Sequence, residues 1–211
     1  QFIAGAPTRL ERLKLRLLGR PRLRFIDALL APADPARAAR CLQRFSLAAG
    51  EYVLVVPGGG SGHPGAEHAP AIVAAASRAI ARRVPVLLVG PALPGGDAPA
   101  LRVAPRLPPG ELCELIRAAR LVVTNGGDTL LQALACERPC VAVPIAHDQS
   151  ARIERCVRAG RAVGVPLAAQ AIEDAVLRRL EEGAAAAAPP GGPAVRNCLE
   201  ETLSALQALL V

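Results

Sequence analysis

The stretch VVTNGGDTLLQALACERPCVAVPIAHDQ, residues 122–149, decides the fold. It opens on a β-branched apolar run, breaks at Asn125, Gly126 and Gly127, and passes at once into an alanine- and leucine-rich segment. A second apolar run, residues 140–144, precedes a polar loop. The pattern reads as strand, turn, helix and strand. Glycines let a backbone come close to a ligand, and the first N–H groups of a helix are unpaired and carry partial positive charge. A phosphorylated ligand is therefore expected at this turn.

Outward from this stretch the same alternation repeats. YVLVV, residues 52–56, reads as a strand, the glycine-rich turn 58–62 follows it, and residues 66–82 read as an alanine-rich helix. Further strands are expected at 85–90, 101–105, 121–124, 140–144 and 162–165. Helices are expected at 109–119, where proline stands at the start, and at 129–136, 150–159 and 169–181. Strands that are apolar on both faces and alternate with helices belong in a parallel sheet covered on both sides. The expected fold class is α/β, a doubly wound parallel sheet of Rossmann-like kind. Ligands of such sheets bind beyond the carboxyl ends of the strands, and both glycine-rich turns lie at such ends.

Residues 1–50 read as a basic, proline-punctuated lead-in, a remnant of an N-terminal domain, with a short strand at 24–30 and a helix near 35–43. Residues 51–182 form the Rossmann-like domain, 183–193 a low-complexity linker, and 194–211 a final amphipathic helix. With 211 residues, 52% of them apolar and 20% charged, the chain can bury one sizeable core. No apolar run approaches the ~18 residues that span a bilayer, and the N-terminus lacks the ordered regions of a signal peptide, so the chain is expected in the cytoplasm. Six cysteines without a CxxC pair read as packing thiols, and no structural metal is expected. The chain begins at Gln1 and contains no methionine, and is expected to be a piece of a longer protein.

The net charge of +7 is unevenly placed. RLERLKLRLLGRPRLR, residues 9–24, carries seven basic side chains against Glu11, interleaved with leucines. That pattern suits peripheral association with an anionic membrane surface, which would put the chain at the inner face of the membrane. A solvated linker, or a helix packed on a further domain, is the plainer alternative. One tyrosine and three phenylalanines leave almost nothing on which to stack bases, so nucleic acid is not expected as a partner.

The turn GGGSG, residues 58–62, follows a strand and precedes a helix, where a phosphate loop belongs. It lacks the GxGxxG spacing and an acidic residue about 20 positions on, which excludes a nicotinamide fingerprint; no Lys-Ser/Thr follows, which excludes a P-loop.

Together, the Gly-Gly turn, the alanine-rich helix, the Arg138-Pro139 entry to the next strand and the Asp148-Gln149 pair resemble the C-terminal, donor-binding domain of family 28 and UDP-glycosyltransferases. The likeness runs over residues 52–180. It implies one half of a GT-B architecture, an inverting transfer of a hexose from a UDP-sugar to an acceptor hydroxyl, and no cofactor or metal. It also implies diphosphate contacts at Asn125, Gly126, Gly127 and Thr129, a loop at Gly59, Gly60 and Ser61 shaping the junction, and ribose contact at Gln132. Arg106 and Leu107 would hold the base through their backbone, and His147, Asp148 and Gln149 the sugar. The general base and the acceptor are not assigned, since both belong to the other half. Relatives usually carry His where Asn125 stands, Ser or Thr at Asp128 and Glu at Gln132. A nucleotide-sugar hydrolase or epimerase, and a non-catalytic donor-binding subunit completed by a partner chain, are the alternative readings.

Overall fold

The structure, a computed structural model, describes residues 9–19, 26–58, 66–90, 98–146, 149–183 and 195–209. Six strands are described: β1 Val53–Val56, β2 Val86–Val89, β3 Leu101–Ala104, β4 Leu121–Asn125, β5 Cys140–Val143 and β6 Val163–Gly164. All pair in parallel, in the order β3-β2-β1-β4-β5-β6. Every residue of β1, β2, β4 and β5 is buried, which only a sheet covered on both faces permits. The expected doubly wound α/β fold is what forms.

The helices are α1 Arg9–Leu17, α2 Pro35–Phe45, α3 Ala69–Ile80, α4 Pro109–Ala118, α5 Asp128–Ala135, α6 Gln149–Arg158, α7 Ala169–Glu182 and α8 Leu199–Gln207. Alternate strand residues feed two separate cores. Leu54, Leu87, Val122 and Ala142 meet Phe45 of α2, Leu115 of α4, Leu130 of α5 and Ile153 of α6 on one face. On the other, Val55, Leu88, Val123 and Val141 meet Val73 and Ile80 of α3 and Ile172 and Val176 of α7. Since β-α-β crossovers are right-handed, helices lie on opposite faces where the chain winds outward from β1 and from β4. The carboxyl ends of β1 and β4 are thus the switch point of the sheet.

Within the stretch expected as a lead-in, residues 26–45 join the core. Asp34 caps α2 by accepting from the Arg37 N–H at 2.9 Å, and Pro35 fits the first helical position. Cys41 and Phe45 are buried. Glu114 of α4, almost fully buried, is held by Arg117 at 2.6 Å and accepts the Asp34 N–H at 3.1 Å; Arg117 in turn donates to the Ala31 carbonyl.

Of the strand expected at 24–30, the described residues 26–30 form a single bridge, between Ala28 and Asn197. The reason is local: both polar backbone groups of Leu30 are taken by the Asn197 side chain, at 3.0 Å each, so no ladder propagates. The final helix correspondingly begins at Leu199 rather than near 194.

Tyr52 donates its phenol to the Leu115 carbonyl, and Cys140 and Cys156 lie in the same core. Burial pushes the Cys156 thiol up to about 11 from an ordinary 9.0, and raises those of Cys140 and of the Tyr52 phenol as well. The core therefore accepts only the neutral forms. Their contribution to stability is complete below the unfolded thiol value and is lost as pH climbs through the folded one. Urea midpoints measured by circular dichroism are expected to fall steadily from about pH 9 to about pH 11.

Candidate functional site

The site is built where β1 and β4 lie side by side, with Val56 opposite Thr124. Beyond Val56 the chain reaches Gly58 at φ +79°, the left-handed region that glycine enters freely. A Cβ there would stand 2.5 Å from Asn125 Nδ2, so the first glycine of the turn after β1 rests directly on the last residue of β4. Asn125 is buried, and its Oδ1 accepts the Gly127 N–H at 3.0 Å. Asparagine thus shapes the turn by bonding to its own backbone two residues on.

Gly126 is gripped from the other side. Its N–H reaches Gln149 Oε1 at 3.4 Å, and its carbonyl accepts from Arg152 Nη1 at 2.7 Å. The same Gln149 oxygen accepts the Ile145 and Ala146 N–H groups at 3.0 and 3.2 Å. A Cβ on Gly126 would stand 2.7 Å from Gln149 Cβ and 2.9 Å from its carbonyl oxygen. Gln149, 8% exposed at the start of α6, therefore joins the loop after β5 to the turn after β4.

Helix α5 begins with no side-chain cap. The Gly126 and Gly127 N–H groups are occupied by Gln149 and Asn125, whereas those of Asp128 and Thr129 meet no acceptor among the described residues. These two amides are the open end of the helix dipole. The Asp128 side chain is exposed beside them, and Thr129 is half-buried. Thr124, immediately before Asn125, has a buried hydroxyl without a partner.

Gln132 lies one turn further along α5, on the same face as Thr129. Its Nε2 donates to the Leu29 carbonyl at 3.0 Å. Arg106 and Leu107 follow β3, three strand spacings or roughly 14 Å from β4; Arg106 is exposed and the Leu107 side chain is packed in the core. Gly59, Gly60, Ser61, His147 and Asp148 lie outside the described residues. Gly58 opens the turn expected at 58–62, whereas Arg152 was not singled out from the sequence. A basic residue one turn after Gln149 was the available signal for Arg152, since positions three apart share a helix face.

Among the described residues, no group of three or more His, Cys, Asp and Glu stands close enough to hold a metal ion.

Neither a protein-family profile nor a curated protein sequence matches the chain. Solved structures do. The calicheamicin glycosyltransferase CalG4 superposes with a TM-score of 0.52 at 24% identity, over 73% of this chain and 38% of its own. Os79 from O. sativa, solved in complex with UDP, gives 0.53 at 19% identity, over 68% and 35%. A Listeria monocytogenes protein assigned as a UDP-N-acetylglucosamine 2-epimerase gives 0.58 at 15% identity, over 87% and 50%. The chain has the fold of one half of a GT-B glycosyltransferase, and spans half or less of each of these proteins.

Removing the shared acceptor while keeping the bulk of residue 149 is expected to loosen the site. Gln149→Leu leaves three N–H groups unpaired and should lower the unfolding free energy by about 2–4 kcal/mol, read from urea denaturation. An unchanged midpoint would show that water replaces the amide without cost.

Proposed function

We propose that this chain is the donor-binding half of a glycosyltransferase, holding a UDP-sugar for inverting transfer of a hexose to an acceptor hydroxyl. The observation that carries the reading is the pair of open amides at Asp128 and Thr129, set at the switch point of the sheet against the turn at Gly58. A diphosphate at this helix end would receive the Asp128 and Thr129 N–H groups, and the Thr129 hydroxyl lies within the same turn. As the glycosidic bond breaks, negative charge grows on the departing diphosphate, and amides already fixed in place stabilise it without reorganising. The ribose would lie along α5 toward Gln132, and the base across the strand ends toward Arg106 and Leu107. The hexose falls to the loop that opens α6, where His147, Asp148 and Gln149 stand in sequence. Gln149 would act there chiefly by holding the loop, because its oxygen is already shared among three backbone groups. The attacking hydroxyl and the base that deprotonates it belong to the other half.

A nucleotide-sugar epimerase is the second reading, supported by the Listeria structure with the same fold. It would use the same diphosphate contacts and differ in what meets the anomeric carbon.

Titration with UDP, followed by amide NMR, is expected to shift Asp128 and Thr129 most strongly. The carboxylate of Asp128 favours the bare helix end but repels a diphosphate. Asp128→Asn is therefore expected to tighten UDP binding by about three- to fivefold, the equivalent of ~0.7–1 kcal/mol. Absence of any UDP-induced shift in a folded sample would reject donor binding. Conversion of a UDP-sugar to its 2-epimer by the chain alone would favour the epimerase.

A further inference from the structure

We propose that α1 is an interfacial anchor that seats the chain on an anionic lipid surface. This goes beyond the donor site and stands apart from it. The first observation is exposure: Leu10, Leu13 and Leu17 are 62%, 53% and 79% exposed, and Leu18 after the helix is 76% exposed. At 100° per residue, Leu10, Leu13 and Leu17 fall within about 60° of arc and make one apolar stripe. Arg9, Arg12 and Arg16 fall within a neighbouring arc of about 60°, and Lys14 borders the stripe on its other side. The helix thus offers leucines flanked on both sides by cations.

The second observation is where the charge of the protein lies. Residues 9–24 hold seven basic side chains and one acidic, whereas the remainder holds 18 basic and 17 acidic and is close to neutral. Nearly the whole net charge falls in the segment that carries α1 and its leucine stripe. An occupant must therefore present anionic groups and an apolar interior within a few ångströms of each other. A bilayer with acidic headgroups does so: the leucines enter the headgroup and acyl boundary while the arginines stay among the phosphates. A nucleic acid offers the charge but leaves the leucines in water. The acidic helix α8, with Leu203 and Leu206 exposed and Glu200 and Glu201 in its first turn, is the competing occupant, supplied by a second copy. It offers two carboxylates to the four cations of α1, and so meets the charge less well.

The test is co-sedimentation of the full chain with vesicles. Vesicles containing about 30% phosphatidylglycerol in phosphatidylcholine are expected to carry most of the protein down at ~0.05 M salt, and phosphatidylcholine alone almost none. Raising salt to about 0.5 M should release at least ~80%, because surface charges are then screened within a few ångströms. The pair Arg12→Glu and Arg16→Glu, and separately the pair Leu13→Asn and Leu17→Asn, should each reduce partitioning by about tenfold. All four side chains are exposed, so circular dichroism, the thermal midpoint and UDP affinity should stay as in the parent chain, which separates failure here from failure of the donor site. Equal binding to neutral vesicles, binding unaffected by either pair, or no binding to either vesicle would overturn the proposal. So would a dimer in sedimentation velocity that the leucine pair dissolves while lipid binding is absent.

Discussion

Three backbone N–H groups converging on one side-chain oxygen, that of Gln149, hold the ends of β4 and β5 in fixed relation. A buried N–H left without an acceptor costs about 1–3 kcal/mol, so the groups at 126, 145 and 146 can be withdrawn from water only because this amide receives them. Packing enforces the same geometry. Gly126 admits no Cβ because Gln149 is already there, and Gly58 admits none because Asn125 is there. The turn at the head of α5 is therefore clamped between the glycine turn after β1 on one side and α6 on the other. What remains unclamped is the pair of amides at Asp128 and Thr129.

This arrangement decides what kind of charge the site can supply. Arg152, the cation that enters from α6, donates to the Gly126 carbonyl and so supports the turn itself. The dipole of the uncapped helix adds a partial positive charge at the mouth of α5 that is fixed in direction and needs no side chain to find a rotamer. Stabilisation of this kind suits a group whose charge grows during a reaction, because the amides do not have to move as it grows. The buried, unpartnered hydroxyl of Thr124 lies directly behind that turn, and nothing in the structure accounts for it.

Much of the fold is legible in sequence because fully buried parallel strands leave uninterrupted apolar runs such as VLVV and VLLV between helical periods. Five of the six strands lie within the runs expected for them, and β4 runs one residue past its own, through Asn125. Less legible is anything that depends on one polar side chain meeting distant backbone. Asn197 ends the expected strand at Leu30 across 167 positions, and Glu114 receives the Asp34 amide across 80; neither leaves a periodic trace. At the site, the sequence identifies the turn but not the state of its amides. Asn125-Gly126-Gly127 reads as three equivalent donors, whereas folding assigns two of them inward, to Asn125 and Gln149.

Two departures from the resembled glycosyltransferases acquire a physical reason in this geometry. An imidazole in place of Asn125 would have to occupy the space where Gly58 approaches, already so close that a single added methyl group would overlap the amide. At position 132, a carboxylate would have no proton to give the Leu29 carbonyl and would set acceptor against acceptor, whereas the glutamine donates to Leu29 and keeps an oxygen able to accept from a hydroxyl. Gln132 thus serves the strap at 26–31 as well as α5, and that strap is tied through Asn197 to the segment leading into α8. The residue nearest the expected ribose is in this way bound to a strap that is itself held by the segment before α8. A ligand that drew the Gln132 amide away from Leu29 would therefore loosen the strap against α5, at a cost of about 1 kcal/mol for the bond given up. No comparable reason is apparent for Asp128, whose carboxylate stands exposed at the helix end.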